Sequence, residues 1–398
     1  MSQSPFAFFR GSAIVQAHDL LSTPVSGPIV QLCGDCHVLN FGGFATPERN
    51  LIFDINDFDE TFPGPWEWDL KRLTASIVLA ARDRSFSKAV ARDAALAAVA
   101  SYRAKMAEYA QLSALELWYS RLLFTDLATF FDRNREVLGT LPAVEKYALK
   151  RTSESIFPKL TTVADGHLKI VDDPPLIFHF QVAEAEAAIR AFFAQYRSTL
   201  VADRQLLFDR YVLQDMAVKV VGVGSVGTRC AIALFMSDGV HPLFLQIKEA
   251  RRSVLEPPDA QQSRYAHQGE RVVYGQRLMQ AASDIFLGWA ETVDARDYYV
   301  RQLRDMKVSV NLERFRSSTL VDYAAVCGWT LARAHAKSGD AATLAGYLGK
   351  KDTFDRALAD YAAAYADQVE RDYAEFMAAI HDGRISTDAS DVPLDFTP

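Results

Sequence analysis

Two short acidic segments near the start of the chain carry the side chains best suited to chemistry. Asp35 and Asn40 lie five residues apart on one predicted loop, and Asp57 and Asp59 follow in an Asp-Phe-Asp triplet. Phosphoryl transfer needs a carboxylate that takes the proton of the acceptor hydroxyl, and it needs oxygen ligands that hold Mg²⁺ against the phosphates. An Asp followed five residues later by an Asn supplies both from one loop. The spacing therefore predicts a phosphoryl-transfer site with Asp35 as the base.

Several oxygen ligands are candidates for the metal role. Asn40 is the first, and Asp54 and Asp57 follow it by fourteen and seventeen residues, where a metal carboxylate at the end of the next strand is expected. Asp59 is a further candidate. A turn or capping role is the ordinary alternative for each residue taken singly. The run Asp-x-x-Asp-x-Asp lacks the spacing and the final Glu of an EF-hand, which disfavours Ca²⁺.

A glycine-rich segment in the middle of the chain predicts a loop that covers phosphates. Its glycines are Gly222, Gly224 and Gly227. A dinucleotide-binding fold would continue such a motif into a helix, but the residues after Gly227 are strand-like, which is the arrangement found in kinases. Lys248 lies twenty-one residues beyond Gly227 at the end of another apolar run, where a phosphate-pairing lysine is expected. The P-loop sequence G-x-x-x-x-G-K-[ST] does not occur.

The lysine requires an acidic partner from a following helix. Glu270 is the first candidate for this partner and Glu256 the second. The strand-like residues 298–303 come next, and Val300 and Gln302 on it are expected to lie behind the base of a nucleotide. Simple hairpin chemistry for the glycines and a solvated edge position for the lysine are the structural alternatives.

The elements that must position these side chains change in kind along the chain. Apolar runs at residues 29–32 and 51–53 predict strands that lead directly into the two acidic segments. Residues 89–112 and 183–200 are Ala-rich, with apolar residues every three or four positions, which predicts helices. Residues 216–247 are β-rich, with a turn predicted at residues 237–239. From Ser317 the periodicity is helical again, and Gly339 is predicted to stop this helix.

Composition limits the class of protein and its partners. The chain has 398 residues, of which 49% are hydrophobic and 23% charged, and this length predicts two lobes. A formal charge of −7 argues against a nucleic-acid partner. No apolar stretch reaches the ~20 residues of a membrane span, and no export signal is recognised. We expect a cytoplasmic protein that does not bind membranes, and the oligomeric state stays open.

The motif from Cys33 to His37 also fits C-x-x-C-H, the signature of covalent haem attachment, and its cysteines could form a redox pair. Haem attachment is typical of exported proteins, and a redox pair normally opens a helix after a strand. Both alternatives are therefore disfavoured. His37 is expected to order the loop around Asp35 through a hydrogen bond.

Together these segments resemble the aminoglycoside phosphotransferase and choline kinase branch of the protein-kinase-like fold. Gly34-Asp35-x-His37-x-x-Asn40 resembles its H-G-D-x-H-x-x-N loop, with Cys33 where that motif has His, and Asp57-Phe58-Asp59 is similar to its metal motif. Leu331 to Ala336 is similar to the L-A-x-L-H helix that normally runs into the catalytic loop, and Trp68 to Leu73 is similar to the helix start after the metal motif. The resemblance implies ATP and Mg²⁺ as cofactors, with Asp35 and His37 in the catalytic loop.

A closer resemblance covers nearly the whole chain. The segment from Ser4 to Gly11, the acidic segments and the residues from Pro65 to Asp69 are similar to a bacterial family catalogued as domain of unknown function 2252. That family implies no substrate. Its members usually have more residues before the Ser-Pro-Phe segment, so we expect a missing N-terminal piece.

The order of the motifs differs from that of kinases, because the catalytic loop precedes the glycine loop. We therefore predict an α+β, two-lobe, protein-kinase-like fold that is circularly permuted, with a small antiparallel β lobe and a larger helical lobe. Residues 1–214 would hold the catalytic and metal loops, 215–310 the nucleotide-binding β lobe, and 311–398 helices that rejoin the helical lobe.

The predicted function is ATP- and Mg²⁺-dependent transfer of a phosphoryl group to the hydroxyl or amine of a small molecule. A protein is the alternative acceptor. Three alternatives stay open at this point: transfer of AMP, nucleotide binding without turnover, and a metal-dependent hydrolase that uses the Asp cluster alone. The hydrolase would leave the glycine loop and Lys248 unexplained.

Overall fold

Strands and helices alternate in blocks, as the changing periodicity of the sequence predicts. The computed structural model describes residues 1–131, 135–164, 166–179, 185–220, 227–257, 262–303 and 305–385. The helices are α1 (Pro5–Gly11), α2 (Ala13–Leu20), α3 (Glu67–Asp83), α4 (Lys88–Tyr109), α5 (Ala114–Tyr119), α6 (Leu127–Phe130), α7 (Arg135–Leu149), α8 (Ser153–Leu160), α9 (Ala185–Thr199), α10 (Ala202–Phe208), α11 (Gln268–Met279), α12 (Ser317–Ser338), α13 (Ala341–Leu348) and α14 (Thr353–His381). The strands are β1 (Ile29–Leu32), β2 (Phe41–Ala45), β3 (Leu51–Ile55), β4 (Phe62–Pro65), β5 (Thr161–Ala164), β6 (His167–Ile170), β7 (Ile177–Phe178), β8 (Val212–Lys219), β9 (Cys230–Ser237), β10 (His241–Glu249), β11 (Gly288–Glu291), β12 (Asp297–Gln302) and β13 (Val308–Ser309).

The largest sheet in the described part of the chain is antiparallel, with the strand order β11-β12-β10-β9-β8-β7. Strands β9 and β10 form a hairpin in which Ser237 pairs with His241, and Asp238 and Gly239 turn the chain with positive φ angles of 51° and 72°. Asp and Gly tolerate this left-handed conformation best. The predicted turn is confirmed, and it sets the register that brings Lys248 to the end of β10.

The two faces of this sheet have different partners. Leu245 and Ile247 face a cluster that includes Phe192 and Tyr196 of α9, because side chains alternate between the faces of a strand. Phe244 on the other face packs with Ile156 of α8. The sheet therefore packs against helices from before residue 214, which the sequence assigned to the helical part.

The larger part of the protein is helical and draws on both ends of the chain, as predicted. One hydrophobic core contains buried residues from Phe6 to Val369. Helices α4 and α12 approach so closely that a Cβ on Gly328 would lie 2.0 Å from the backbone oxygen of Ala98, so only glycine fits there. The α+β class with a small antiparallel sheet and a larger helical part is thus confirmed.

The end of α12 meets the strand that leads into the first acidic segment. The Oγ of Ser338 accepts a hydrogen bond of 3.2 Å from the backbone N–H of Gln31 on β1. Helix α12 ends at Ser338, directly before Gly339, the predicted stop. Among the described helices, none combines the length and the apolar character needed to cross a membrane.

Candidate active site

A cleft of about 730 Å³ lies where the sheet meets the helical part. It is lined by residues from the N-terminal helices, both acidic segments, β10 and the segment after β12. Its basic lining residues are Arg10, Arg151, Lys248, Arg251, Arg252, Arg301 and Lys307, and its acidic ones are Asp35, Asp57, Asp59, Glu60 and Glu249. Although the whole chain has a formal charge of −7, the cleft has more basic than acidic side chains, which favours an anionic ligand.

Asp35 lines the cleft, and Arg72 binds one of its two carboxylate oxygens from the protein interior. Its Oδ1 accepts a hydrogen bond of 2.8 Å from Nε of Arg72 and lies 2.8 Å from Nη2 in the same ion pair. Arg72 is buried on α3, donates to the backbone oxygen of Phe9 at 2.7 Å, and lies over the Phe9 ring at 3.7 Å. The side chain of Asp35 is 18% exposed. This leaves Oδ2 as the oxygen that can receive a proton from a bound acceptor.

His37 orders the turn that follows Asp35. Its Nδ1 accepts a hydrogen bond of 3.2 Å from the N–H of Leu39, so the ring proton is on Nε2, which lies 3.7 Å from Oδ2 of Asp35. Burial lowers the pKa of His37 to about 4 and keeps the ring neutral. This is the loop-ordering role expected for His37, and its Nε2–H is aimed at the predicted base.

A buried network holds the loop that carries Asp35 from the side away from the cleft. The carboxylate of Asp69 on α3 accepts hydrogen bonds from the N–H groups of Cys33 at 2.8 Å and Gly34 at 3.0 Å. His335 on α12 lies 3.1 Å from the same carboxylate and 2.9 Å from the hydroxyl of Tyr102. Helices from opposite ends of the sequence therefore support the loop together.

Glycine is required at the start of this loop. Gly34 has a φ of 92°, and a Cβ there would lie 2.2 Å from the backbone oxygen of Glu60. Both the left-handed conformation and the close approach exclude a larger residue. The loop is thus pressed against the Asp-Phe-Asp segment, which brings the two acidic segments to one place.

Asn40 and Asp57 offer oxygens that suit a hard cation. The Nδ2 of Asn40 donates to the backbone oxygen of Asp35 at 2.5 Å, which turns its Oδ1 away as an available ligand. Burial alone would raise the pKa of Asp57, but the charges of Lys248, Arg301 and Lys307 outweigh burial and hold this pKa well below its usual range. An ionised carboxylate and an amide oxygen match the preference of Mg²⁺ for oxygen ligands.

Asp54 is a structural residue outside the cleft, and its predicted competition for the metal role is corrected here. The side chain is fully buried. Its oxygens accept bonds of 2.8 and 2.9 Å from Nη2 of Arg333, and Oδ2 also accepts from the N–H of Ala281 at 2.8 Å. Asp54 lies within β3 and points to α12, whereas Asp57 follows the end of the strand.

Lys248 is paired with Asp59. Its Nζ lies 2.5 Å from Oδ2 of Asp59 and 3.7 Å from Oδ2 of Asp57, while the hydroxyl of Tyr299 donates to Oδ1 of Asp59 at 2.6 Å. Burial would lower the pKa of Lys248, but Asp57 and Asp59 raise it well above its usual value. Both oxygens of Asp59 are therefore occupied, which makes it the partner of the lysine and a poor metal ligand.

The predicted partners of Lys248 lie elsewhere. Glu270 is exposed in the first turn of α11, and Glu256 accepts from Nε of Arg252 at 2.9 Å and from the N–H of Arg264 at 2.8 Å. Helix α11 instead contributes Arg271, whose Nη2 donates to the backbone oxygen of Asp59 at 2.8 Å. The helix thus positions the acidic partner without supplying it.

The remaining predicted nucleotide contacts are only partly near the cleft. Gly222 and Gly224 lie outside the described residues. Gly227 has a φ of 79°, and its backbone oxygen accepts a hydrogen bond from Arg251, beside the cleft-lining Thr228. The glycine loop therefore ends at the cleft.

Val300 and Gln302 do not face the cleft. Val300 is buried in the cluster on the opposite face of the sheet, and the N–H and side chain of Gln302 bond to Asp284 at 2.5 and 2.8 Å. From this part of the chain, Arg301 and Leu303 line the cleft instead. The prediction assigned the cleft to the wrong face of β12. The apolar residues of this strand do not by themselves show which alternate side chains face the cleft.

Several residues of the site were missed from the sequence. Arg72 and Asp69 anchor the loop that carries Asp35, and their i, i+3 spacing on α3 was a usable signal, because it places both side chains on one helix face. The cleft is also lined by Arg10, Arg301 and Lys307, and no sequence motif around these residues predicts that position. Their position depends on packing between distant segments.

The cysteines beside Asp35 are buried, and their thiols are in the unreactive, protonated form. Cys33, Cys36 and Asp69 bring ligand atoms within 4.8 Å of one another. Burial raises the pKa of the Cys33 thiol well above its usual value and that of Cys36 to about 11, while Asp69 already accepts the bonds described above. This arrangement is typical of loop packing and disfavours the haem and redox alternatives.

Comparison with known proteins identifies a family and no activity. The sequence model of a family described as an uncharacterized protein conserved in bacteria (DUF2252) matches residues 1–379. The chain therefore belongs to this bacterial family. Neither the search of curated proteins nor that of solved structures found a match.

Proposed function

We propose that this member of the DUF2252 family is an ATP- and Mg²⁺-dependent phosphotransferase that acts on a hydroxyl or amine of a small molecule. The observation that carries the proposal is the convergence of Asp35, Asn40, Asp57 and Lys248 on one cleft. These residues come from segments about two hundred positions apart. Each matches, in type and environment, one component that phosphoryl transfer requires.

Asp35 is the proton acceptor in this proposal. The acceptor oxygen forms a bond to the γ-phosphorus, the bond from that phosphorus to the βγ-bridging oxygen breaks, and ADP leaves. The proton of the acceptor passes to Oδ2 of Asp35, since Arg72 occupies Oδ1. Arg72 and His37 orient the carboxylate, which limits the loss of orientational freedom at the reacting atoms.

Asn40 and Asp57 are the residues that would hold Mg²⁺, because their free oxygens form a hard donor set. The chemistry that Mg²⁺ would supply there is neutralisation of the charge on the phosphate oxygens. Lys248 and the end of the glycine loop lie beside these ligands and would bind the phosphates. Asp59 keeps Lys248 charged and directed to the cleft, as a helix-borne glutamate does in protein kinases.

The arrangement of the chain supports a permuted protein-kinase-like fold. Lys248 lies on the third strand of the meander β8-β9-β10, after the glycine loop, and a helix follows it, as in kinases. The helix that carries His335 ends beside the strand that leads into Asp35. Joining these two segments would restore the kinase order of helix, catalytic loop and metal motif.

Transfer of AMP is the second candidate, and the basic residues at one end of the cleft favour it. Lys307 and Arg151 lie beside the segment after β12, where the resemblance places the base of ATP. A nucleotide bound in the opposite direction would direct its phosphates to them. Product analysis separates the candidates, because phosphoryl transfer releases ADP and AMP transfer releases pyrophosphate.

The first test is nucleotide binding by thermal shift with and without Mg²⁺, on the wild type and on Lys248→Ala and Asp57→Ala. Ligand at ~100 Kd should stabilise the folded state by roughly 2.7 kcal/mol. We expect a Mg²⁺-dependent shift with ATP that both substitutions remove. Asp93→Ala is the matched control, because Asp93 is exposed on α4. Folded wild-type protein that shows no shift with any nucleotide would rule out the proposal.

A further inference from the structure

The end of the cleft beside β12 carries positive side chains that have no ion pair in the described part of the chain. Lys307 lines the cleft, and across the described ranges its Nζ has neither a hydrogen bond nor an ion pair. Arg151 lines the cleft as well, and its Nε is buried without a hydrogen-bond partner. Lys307 and Arg151 are half-buried, and cations that are partly removed from water are stabilised by a ligand that supplies a counter-charge.

The backbone holds these two residues together. The N–H of Met306 donates to the backbone oxygen of Arg151 at 2.9 Å, which places Arg151 beside Lys307. Arg301 completes the group. Its Nε donates to Oε1 of Gln246 and its Nη1 to the backbone oxygen of Asn56, both at 3.1 Å. Both acceptors are neutral, so Arg301 keeps its charge available to the cleft.

In the described part of the chain Arg10 has no ion pair, although the charge of Asp35 acts on it. Three other basic residues of the cleft are neutralised within the protein. The pairs are Lys248 with Asp59, Arg251 with Glu249, and Arg252 with Glu256. Three of the four lining cations without an ion pair among the described residues therefore lie together at one end of the cleft: Lys307, Arg151 and Arg301.

The charges around Lys307 are mostly positive, which favours the binding of an anion. Burial, followed by the charge of Arg301, lowers the pKa of Lys307 to about 7, and Lys248 and Arg151 act in the same direction. Among the causes of this shift, Asp57 alone raises the pKa, and that carboxylate is the proposed metal ligand. A bound dianion would stabilise the charged lysine and could accept two parallel bonds from an arginine.

We propose that Lys307, Arg151 and Arg301 form an anion subsite that binds a phosphoryl group other than the one transferred at Lys248 and Asp57. This inference depends on the proposed function in one respect, because the anion subsite and the phosphotransferase site lie in the same cleft. Two sources share the chemistry: the terminal phosphate of a nucleotide bound in the reverse direction, and a phosphate carried by the acceptor.

The test uses pyrophosphate without Mg²⁺ as the probe, titrated calorimetrically into the full chain at pH 6, below the pKa of Lys307. We expect the wild type to bind it and both Lys307→Met and Arg151→Met to bind at least tenfold more weakly. Lys150→Met is the matched control, since Lys150 is exposed next to Arg151 and its loss changes the net charge equally. Unchanged affinity in both cleft variants, or no binding to the wild type, would overturn the subsite.

The same variants distinguish the two sources. If the anion is the terminal phosphate of the nucleotide, Lys307→Met weakens Mg²⁺-ATP at least tenfold and leaves Mg²⁺-AMP nearly unchanged. If the anion belongs to the acceptor, Mg²⁺-ATP affinity is retained and inorganic phosphate binds together with it. Either result supports the subsite. Lys307-dependent pyrophosphate binding without any ATP binding would keep the subsite and reject the phosphotransferase proposal.

Discussion

Lys248 and Asp59 form an ion pair of 2.5 Å across 189 residues of sequence. The pair joins β10 of the sheet to the segment that follows β3 in the helical part. Arg271 and Tyr299 hold Asp59 in place. This contact decides which carboxylate is left for a metal, because it occupies Asp59 and leaves Asp57 with an available oxygen.

Neutralising Asp59 should disturb both stability and Mg²⁺-ATP binding. In Asp59→Asn, Lys248 has only Asp57 as an acidic neighbour, so the lysine should draw Asp57 from the metal. Because Asp59 is partly exposed, we expect unfolding to become easier by about 2 kcal/mol, with Mg²⁺-ATP binding at least tenfold weaker. Urea unfolding and titration calorimetry measure the two effects.

Glu270→Gln is the control. Glu270 was the partner of Lys248 predicted from the sequence, and in the structure it is exposed. It should change neither quantity. A loss of ATP affinity in Glu270→Gln with none in Asp59→Asn would contradict the pairing.

Arg72→Lys should reduce turnover while sparing nucleotide affinity. A lysine cannot reproduce both the Nε hydrogen bond and the Nη2 contact to Oδ1 of Asp35 while it also bonds to Phe9, so the carboxylate loses its orientation. We expect kcat to fall by about 10- to 100-fold and the Kd of Mg²⁺-ATP to change less than about twofold. Release of ADP or pyrophosphate gives the rate.

Arg92→Lys serves as the control for Arg72, since Arg92 makes its ion pair with Asp360 on the exposed surface. An Arg72→Lys variant that is folded, and that loses ATP affinity in parallel with rate, would show that Arg72 acts on binding and not on Asp35.

Glu60 should make stability fall as pH rises toward neutrality. Burial raises its pKa from 4.5 to about 7, so between these values the folded state binds more protons than the unfolded state. The wild type should be most stable relative to Glu60→Gln below pH 4.5. This advantage should decline by up to about 3 kcal/mol as the pH rises through 7. Urea unfolding of both proteins across this range gives the difference, and a difference that does not vary with pH would refute the assignment.

Gly328→Ala should destabilise the contact between α4 and α12. The new Cβ would lie 2.0 Å from the backbone oxygen of Ala98, which helix backbones cannot relieve without moving apart. We expect a loss of about 2–3 kcal/mol in the free energy of unfolding. Gly346→Ala is the matched control within α13, where a Cβ meets nothing within 4 Å, and it should stabilise by about 0.5–1 kcal/mol. Equal effects of the two substitutions would contradict the packing described here.

Much of the local structure could be predicted. Strands β1 and β3 coincide with the apolar runs before the acidic segments, and α12 ends at the predicted Gly339. Hydrophobic periodicity and turn residues act over a few positions, so they can be recognised in the sequence directly. The prediction of which helices pack on the sheet was less accurate. Helices α9 and α10 pack on it, although they precede the boundary predicted at residue 214.

The sequence by itself determined the types and spacing of the groups in the candidate site: Asp35 and Asn40 on one loop, Asp57 after a strand, and Lys248 after a glycine-rich hairpin. Only the tertiary structure decided that Asp54 is buried against Arg333, that Asp59 and not Glu270 neutralises Lys248, and that Lys307 has no ion pair among the described residues. The physical reason is that a carboxylate acts through the charges that surround it in space. Those charges come from segments whose separation along the chain carries no periodic signal, so folding alone sets which of them meet.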